Sequence, residues 1–219
     1  MVSSCVDGVC LSGCSSGFYS SGGDSVRTCS VVDGTYSGAV LTCSACEAPA
    51  APVHASRSCS EGGETCTYGC EAGYYVVGGS TSRVCSSADG TWSGTDLQCQ
   101  VCSPPPVTSP VQRQCSATGF CSYSCAPGHY RTAGSTDRTC ASTDGSWSGS
   151  DLVCSPCTAP PQPNHGSLSC DGSVSQCTGV CDGGYYASGG TPVRECSGVD
   201  GSWSGTGLEC SVCDDPEVP

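Results

Sequence analysis

The sequence predicts an all-β protein built from small disulfide-rich modules in a linear, rod-like tandem array. Three observations carry this. First, 24 of 219 residues are cysteine, the composition of a disulfide scaffold. Second, the cysteines fall into one six-cysteine spacing used four times, in sets beginning at Cys5, Cys59, Cys115 and Cys170. In the second set, Cys59, Cys66, Cys70, Cys85, Cys99 and Cys102 step by 7, 4, 15, 14 and 3; the other sets repeat the last four steps, and only the first varies. The whole pattern recurs every 55 or 56 residues, the mark of one small unit multiplied. Third, no segment shows helical periodicity over the ten or more residues that a helix needs. Such a chain multiplies one building or binding element and argues against a unique active site.

The unit from Cys46 to Cys99 can be read in order. Cys46-Glu-Ala-Pro49-Ala-Ala-Pro52-Val-His54 is an extended, proline-containing opening. A short cysteine-bounded loop, Cys59 to Cys66, follows. Cys70-Glu-Ala-Gly73-Tyr74-Tyr75-Val-Val-Gly78-Gly79 reads as a strand of β-prone residues closed by a glycine turn. Ser82–Cys85 is a second short strand. Asp89-Gly90 makes a hairpin-type turn ahead of Trp92, and a last short strand ends at Cys99.

Only 37% of the chain is hydrophobic, cysteines included, and it contains no Lys, no Ile and a single Asn. Units of about 55 residues are marginal on core burial alone and need cross-links or metal. Cys99-Gln-Val-Cys102 has the spacing of half a zinc site, but the composition is that of a disulfide scaffold, so disulfides are expected and metal is not. Disulfides persist in oxidising space, which places the protein outside the cell or on its surface. The net charge of −13 argues against nucleic-acid binding, and the acids are too dispersed for a Ca²⁺ loop. No run approaches the roughly 20 apolar residues of a membrane span. Met1–Cys5 lacks the basic and apolar segments of a signal peptide, so the chain reads as a mature product or a fragment.

This pattern resembles the sushi module, also called the complement control protein module. That family carries four cysteines, a Pro near the first, a Cys-x-x-Gly-Tyr at the second, and a Gly-x-Trp between the third and fourth. Cys46, Cys70, Cys85 and Cys99 match with Pro49, Gly73, Tyr74, Gly90 and Trp92. Cys102, Cys125, Cys140 and Cys154 match with Pro105, Gly128, Gly145 and Trp147, although His129 stands where Tyr is expected. Cys157, Cys181, Cys196 and Cys210 match with Pro160, Gly184, Tyr185, Gly201 and Trp203. The resemblance implies modules at 1–43 (lacking its first strand and cysteine), 46–99, 102–154 and 157–210. Residues 213–219 would begin a further module or form a donor strand for the next copy.

The resemblance also implies pairing of first with third and second with fourth cysteine. The pairs are then Cys46–Cys85, Cys70–Cys99, Cys102–Cys140, Cys125–Cys154, Cys157–Cys196, Cys181–Cys210 and, in the first unit, Cys14–Cys43. An additional pair per unit departs from the family: Cys5–Cys10, Cys59–Cys66, Cys115–Cys121 and Cys170–Cys177. Six cysteines allow 15 pairings, so spacing alone leaves the scheme open. Short-loop bridges should stabilise least.

Trp92, Trp147 and Trp203 are expected to pack in the module cores, with Tyr36 in the corresponding place of the first unit. The outward members of Tyr74-Tyr75 and Tyr185-Tyr186 are candidate contact residues. His54, His129 and His165 read as non-equivalent loop positions, and Asp214-Asp215 lies at a terminus. No nucleophile or acid is patterned with them, so no enzyme is expected. Two-residue joints, Gln100-Val101 and Ser155-Pro156, should hold the modules nearly collinear. The Ser- and Thr-rich surface is compatible with O-linked glycans, and Asn164 lies in no N-glycosylation sequon.

Cys29 and Cys213 are left over. Joining two copies tail to head would place ten residues between Cys213 and Cys5, against twelve in the internal repeats. The expected function is a rod or fibril subunit whose copies stack head to tail through Cys29–Cys213, with two alternatives open for these cysteines: one stretch of a longer continuous polypeptide, or an arbitrary fragment boundary. The alternative is a cell-surface recognition or adhesion ectodomain holding a protein ligand.

Overall fold

A computed structural model describes residues 1–214; residues 215–219, most of the expected further module, lie outside it. Each module has five strands. Module 1 contains β1 (Val2–Val6), β2 (Val9–Gly13), β3 (Phe18–Gly22), β4 (Val26–Thr28) and β5 (Thr42–Ala45). Module 2 contains β6 (Ala55–Cys59), β7 (Thr65–Cys70), β8 (Tyr74–Gly78), β9 (Ser82–Val84) and β10 (Gln98–Val101). Module 3 contains β11 (Val111–Cys115), β12 (Phe120–Cys125), β13 (His129–Ala133), β14 (Asp137–Thr139) and β15 (Val153–Pro156). Module 4 contains β16 (Gly166–Cys170), β17 (Gln176–Cys181), β18 (Tyr185–Gly189), β19 (Val193–Glu195) and β20 (Glu209–Val212). The described residues contain no helix.

One antiparallel topology serves all four modules. In module 2 the first, second and fourth strands form one sheet, β6-β7-β9, and the third and fifth form another, β8-β10. The hairpin β6–β7 puts Cys59 directly opposite Cys66, and Cys5–Cys10, Cys115–Cys121 and Cys170–Cys177 face one another in the same way. Directly opposed positions hold the closest Cα atoms of an antiparallel pair. These cysteines accordingly bridge at Cα separations of 4.0–4.1 Å. The second cysteine of each family set ends the central strand or lies just beyond it and bridges to the last strand, as in Cys70–Cys99. Its counterparts are Cys14–Cys43, Cys125–Cys154 and Cys181–Cys210.

The cores are very small. In module 2, Ala55, Cys66, Tyr68 and Leu97 are buried, with Trp92, Val76 and the Cys70–Cys99 bridge packed against them. In module 3, Cys121, Tyr123 and Leu152 play the same parts, with Trp147 against them. Trp92, Trp147 and Trp203 are all half-buried. Tyr36 departs from the core expectation at 42% exposed. The physical reason lies in the opening segment. In module 2 that segment lies over the core: Ala48 packs on it, and the Pro49 carbonyl accepts from the Tyr68 hydroxyl at 3.2 Å. In module 3 the Arg113 guanidinium holds the Pro104 and Pro105 carbonyls in the same way that Arg57 holds those of Ala48 and Pro49. Among the described residues no such segment covers module 1, and Leu11 and Val26 are exposed along with Tyr36.

The hairpin bridges have a role that loop length does not disclose. A closed loop of 7 residues is worth about 2.4 kcal/mol of chain entropy, against about 3.6 kcal/mol for 29 residues. Yet Cys66, Cys121 and Cys177 are the largest fully buried side chains among the described residues. Their sulfurs fill the space that a larger core would give to leucine. Replacing Cys59 and Cys66 by Ala should therefore cost module 2 more than the ~2.4 kcal/mol entropy figure. The half-exposed Cys5–Cys10 bridge should cost module 1 no more than that figure when replaced likewise. Native-state hydrogen exchange of the β7 and β2 amides checks the comparison. Equal losses in the two modules would contradict the packing role.

Candidate functional site: the end faces of the modules

The chain divides into two compact units, residues 1–103 with 140–146, and residues 104–139 with 147–219. Within each unit, modules meet through one repeated set of contacts. The second family cysteine is followed, five residues on, by a tyrosine: Tyr19, Tyr75, Tyr130 and Tyr186. These sit on β3, β8, β13 and β18. At the other end of the next module, an Asp-Gly turn follows the third family cysteine. The tyrosine ring lies flat against that glycine. A Cβ built on Gly90 would lie 2.6 Å from the Tyr19 ring, on Gly145 2.8 Å from Tyr75, and on Gly201 2.7 Å from Tyr130. These glycines also have φ of +75°, +73° and +74°, which other residues adopt at a cost.

Backbone groups complete each contact. The residue after the tyrosine donates across the joint: Ser20 N–H to the Ser87 carbonyl at 3.0 Å, Val76 to Ser142 at 2.9 Å, and Arg131 to Gly198 at 3.0 Å. The first cysteine of the following module stays on the preceding one. Cys46, Cys102 and Cys157 donate their N–H groups to Gly17, Gly73 and Gly128 at 2.7–2.8 Å. From there they bridge to Cys85, Cys140 and Cys196, with Cα separations of 6.3, 6.3 and 6.5 Å. The first-to-third cystine is therefore also the clasp of the joint.

The turn is held by its own polar groups. In module 2, the Asp89 carboxylate accepts from the Thr91 N–H at 3.1 Å and hydroxyl at 2.8 Å. Asp33 and Asp200 accept in the same way from Thr35 and Ser202, and Asp144 from the Ser146 N–H. Hydrogen bonds to the ionised form hold these carboxyls below their ordinary range. For Asp200 the Ser202 hydroxyl is the largest cause, followed by Ser197, and the value falls to about 2. Asp171, in the β16–β17 loop, is lowered to about 2 by Ser175 and then Ser173.

A residue that sequence reading passed over locks this turn to the strand before it. An arginine precedes each third cysteine by two positions: Arg27, Arg83, Arg138 and Arg194. Its Nε donates to the carbonyls of Ser37, Ser93, Ser148 and Ser204 at 2.8–2.9 Å. Arg138 is 8% exposed and also pairs with Asp151, whose own side chain is 85% exposed. The arginine end is thus the structural one, and the water-facing partner contributes little.

The tyrosine pairs are divided by this geometry. Tyr75 is spent on the joint, and Tyr74 stacks on His54 at 4.0 Å between ring centroids. Tyr185 stacks on His165 at 4.3 Å, which leaves Tyr186 outward and 52% exposed. His54 and His165 are therefore equivalent, contrary to the expectation from sequence. Each lies eight residues after its module's first cysteine, at φ +59° and +56°, against the aromatic that follows the Gly of the second motif. His129 is itself that aromatic in module 3. Among the described residues no group of three metal-ligating side chains comes together, and no helix is long and apolar enough to cross a membrane.

The sushi repeat (SCR repeat) family model matches residues 43–99, 102–154 and 157–210, about three quarters of the chain. The chain belongs to the sushi repeat family. Residues 1–42, the part lacking a first family cysteine, fall outside the match. The chain is similar to mouse P-selectin, 29% identical over 97% of this chain and 30% of the selectin. It is similar to rat E-selectin, 29% identical over 73% of this chain and 32% of that protein. Rat sushi, von Willebrand factor type A, EGF and pentraxin domain-containing protein 1 is 32% identical over 85% of this chain and 5% of its own length. The chain thus spans less than a third of the length of these relatives. The protein is extracellular or at the cell surface, as its repeats and eleven cystines require. Sushi repeats and selectins are non-enzymatic families.

The joint geometry is checked by one pair of substitutions. Gly90→Ala meets both a ring and a positive φ, whereas Gly34→Ala meets only the φ of +72°, since nothing lies within 4 Å of its Cβ. The first should speed hydrogen exchange at the Ser20 amide about tenfold or more, corresponding to some 1.4 kcal/mol of joint stability. The second should leave that amide unchanged. Equal effects would contradict the packing of Tyr19 on Gly90.

Proposed function

We propose that this chain is a non-enzymatic, adhesion-type ectodomain segment whose exposed module faces contact a protein partner. The similarity to selectins over nearly the whole chain supports this reading most directly. The architecture agrees with it. The repeated cystine-clasped joints consume Tyr19, Tyr75 and Tyr130 in spacing the modules, while Tyr186 and Val199 remain outward. The net charge of −13 with no lysine favours a basic partner surface. Exposed Ser and Thr on the loops would carry any O-linked sugars, which intact mass before and after deglycosylation would reveal.

Adhesion is tested with surfaces coated with the 219-residue chain and source-organism cells applied under flow. Cells should be retained well above an albumin coat and released by excess soluble chain. They should be indifferent to chelators. Retention equal to albumin, or retention that soluble chain fails to compete, would contradict the proposal.

A further inference from the structure

We infer that the cavity at the joint of modules 3 and 4 is a binding site for an acidic-apolar segment of a protein partner. A carboxylate of that segment pairs with Arg131, and a neighbouring apolar side chain fills the space over Tyr123 and Leu152. The inference rests on the adhesion reading only in placing the segment on the partner. A cavity of about 460 Å³ opens at this joint. Tyr123, Arg131, Thr136 and Leu152 line it from module 3, and Gly198 and Val199 from module 4.

The fold builds the same cavity elsewhere with different chemistry. At the joint of modules 1 and 2, a cavity of about 410 Å³ is lined from equivalent positions. Counted from the family cysteines, Ser12 corresponds to Tyr123, Ser20 to Arg131, Ser25 to Thr136 and Leu41 to Leu152. Ser87 and Ala88 correspond to Gly198 and Val199. The shape is therefore a product of the joint, and the side chains decide what it holds. Serines line the first cavity. In the second, buried Tyr123 and Leu152 supply an apolar floor, Val199 an apolar rim that is 67% exposed, and Arg131 a cation. A cleft of this size with a largely apolar lining and a few polar groups has the usual form of a ligand site.

Arg131 differs from the other arginines. Arg27, Arg57, Arg83, Arg113, Arg138 and Arg194 each donate to backbone carbonyls, and so hold turns and opening segments in place. The ion pairs among the described residues use Arg83 and Arg138. The Arg131 guanidinium has neither kind of partner among the described residues, and it is exposed. Its backbone is nevertheless fixed. The Arg131 N–H donates to the Gly198 carbonyl at 3.0 Å, and the residue pairs with Cys154 between β13 and β15. A side chain that starts from a fixed base loses less freedom when it binds.

The chain carries 20 acidic residues against seven arginines, yet no acidic side chain lines this cavity. Charge complementarity here selects an anion, and a guanidinium fork matches a carboxylate through two parallel N–H···O bonds. The long-range field still favours a partner that is basic overall, so this local pair sets the register in which the partner docks. Arginine beside an apolar pocket is also the arrangement from which dominant binding residues are drawn.

The test is a nuclear magnetic resonance titration of the isotope-labelled 219-residue chain with capped tripeptides. Residues two apart in an extended peptide share a face, so the probe is acetyl-Glu-Ala-Phe-amide. It should give saturable shifts at the Thr136, Gly198 and Val199 amides and at the Arg131 Nε–H. Ser25, Ser87 and Ala88, around the serine-lined cavity, should not move. Acetyl-Gln-Ala-Phe-amide and acetyl-Glu-Ala-Ala-amide each lack half of the chemistry and should bind about fivefold more weakly or worse. Arg131→Gln keeps the strand and should weaken the Glu-Ala-Phe peptide about tenfold while leaving the Gln-Ala-Phe peptide unaffected, the coupling that direct pairing requires. Unchanged amide shifts away from the cavity confirm that the variant folds. The same variant should lower cell retention under flow about threefold or more. Equal binding of the Glu and Gln peptides, equal shifts at the two cavities, or a variant that binds like the parent would each overturn the inference. If no peptide binds while cells are still retained, the cavity is refuted and the adhesion reading stands.

Discussion

Everything in this molecule depends on cystines standing where apolar side chains would otherwise be. Each module has five strands of three to six residues in two separate sheets, and neither sheet is large enough to bury a face by itself. Tyr68 and Leu97 in module 2, or Tyr123 and Leu152 in module 3, are the large buried apolar side chains besides cysteine. The bridges act at three places. The hairpin cystine plugs the centre of one sheet, the second-to-fourth cystine ties the central strand to the last, and the first-to-third cystine clasps a module to its predecessor. Restricting the unfolded chain at each of them offsets the ordering entropy that such a core cannot.

The clasp has a consequence for where a module begins. By sequence, Cys46, Cys102 and Cys157 open modules 2, 3 and 4. By hydrogen bonding, they belong to the floor of the modules before them, through Gly17, Gly73 and Gly128. In module 1, Tyr36 and Leu11 lie exposed, and Cys29 has no bridge among the described residues. Sequence variation follows the same logic. Ser12 and Gly179 replace the buried tyrosine of modules 2 and 3, and in module 4 the Leu208 side chain moves to within 3.2 Å of where a Cβ on Gly179 would lie.

The all-β class, three of the five strands of the unit and the Asp-Gly turn were legible because covalent and steric rules write them directly, whereas the first hairpin, Ala55–Cys59 with Thr65–Cys70, was read only as a cysteine-bounded loop. Cysteine spacing fixes loop lengths, and glycine marks positive φ. The joints were less legible. Tyr19, Tyr75, Tyr130 and Tyr186 share a position, but a tyrosine beside a second aromatic gives no sign of which ring faces a neighbour. The arginine before each third cysteine reads as a solvated charge until its carbonyl partners are seen. His54 and His165 looked unrelated because their modules differ around them, although each takes the same left-handed turn under an aromatic ring. Tyr36 is expected in a core by analogy with Trp92, but it is 42% exposed, because among the described residues no opening segment lies over it as the Ala48 segment lies beside Trp92 on the module 2 core.

The central claim, that one cystine both completes a module and fastens it to the module before it, is tested most directly by mass-spectrometric mapping of the oxidised protein under acidic, non-reducing conditions. The account predicts recovery of Cys46–Cys85, Cys102–Cys140 and Cys157–Cys196 alongside the hairpin pairs such as Cys59–Cys66. Recovery of Cys66 joined to Cys70 or Cys85, or of Cys46 joined to a cysteine of module 1, would contradict it.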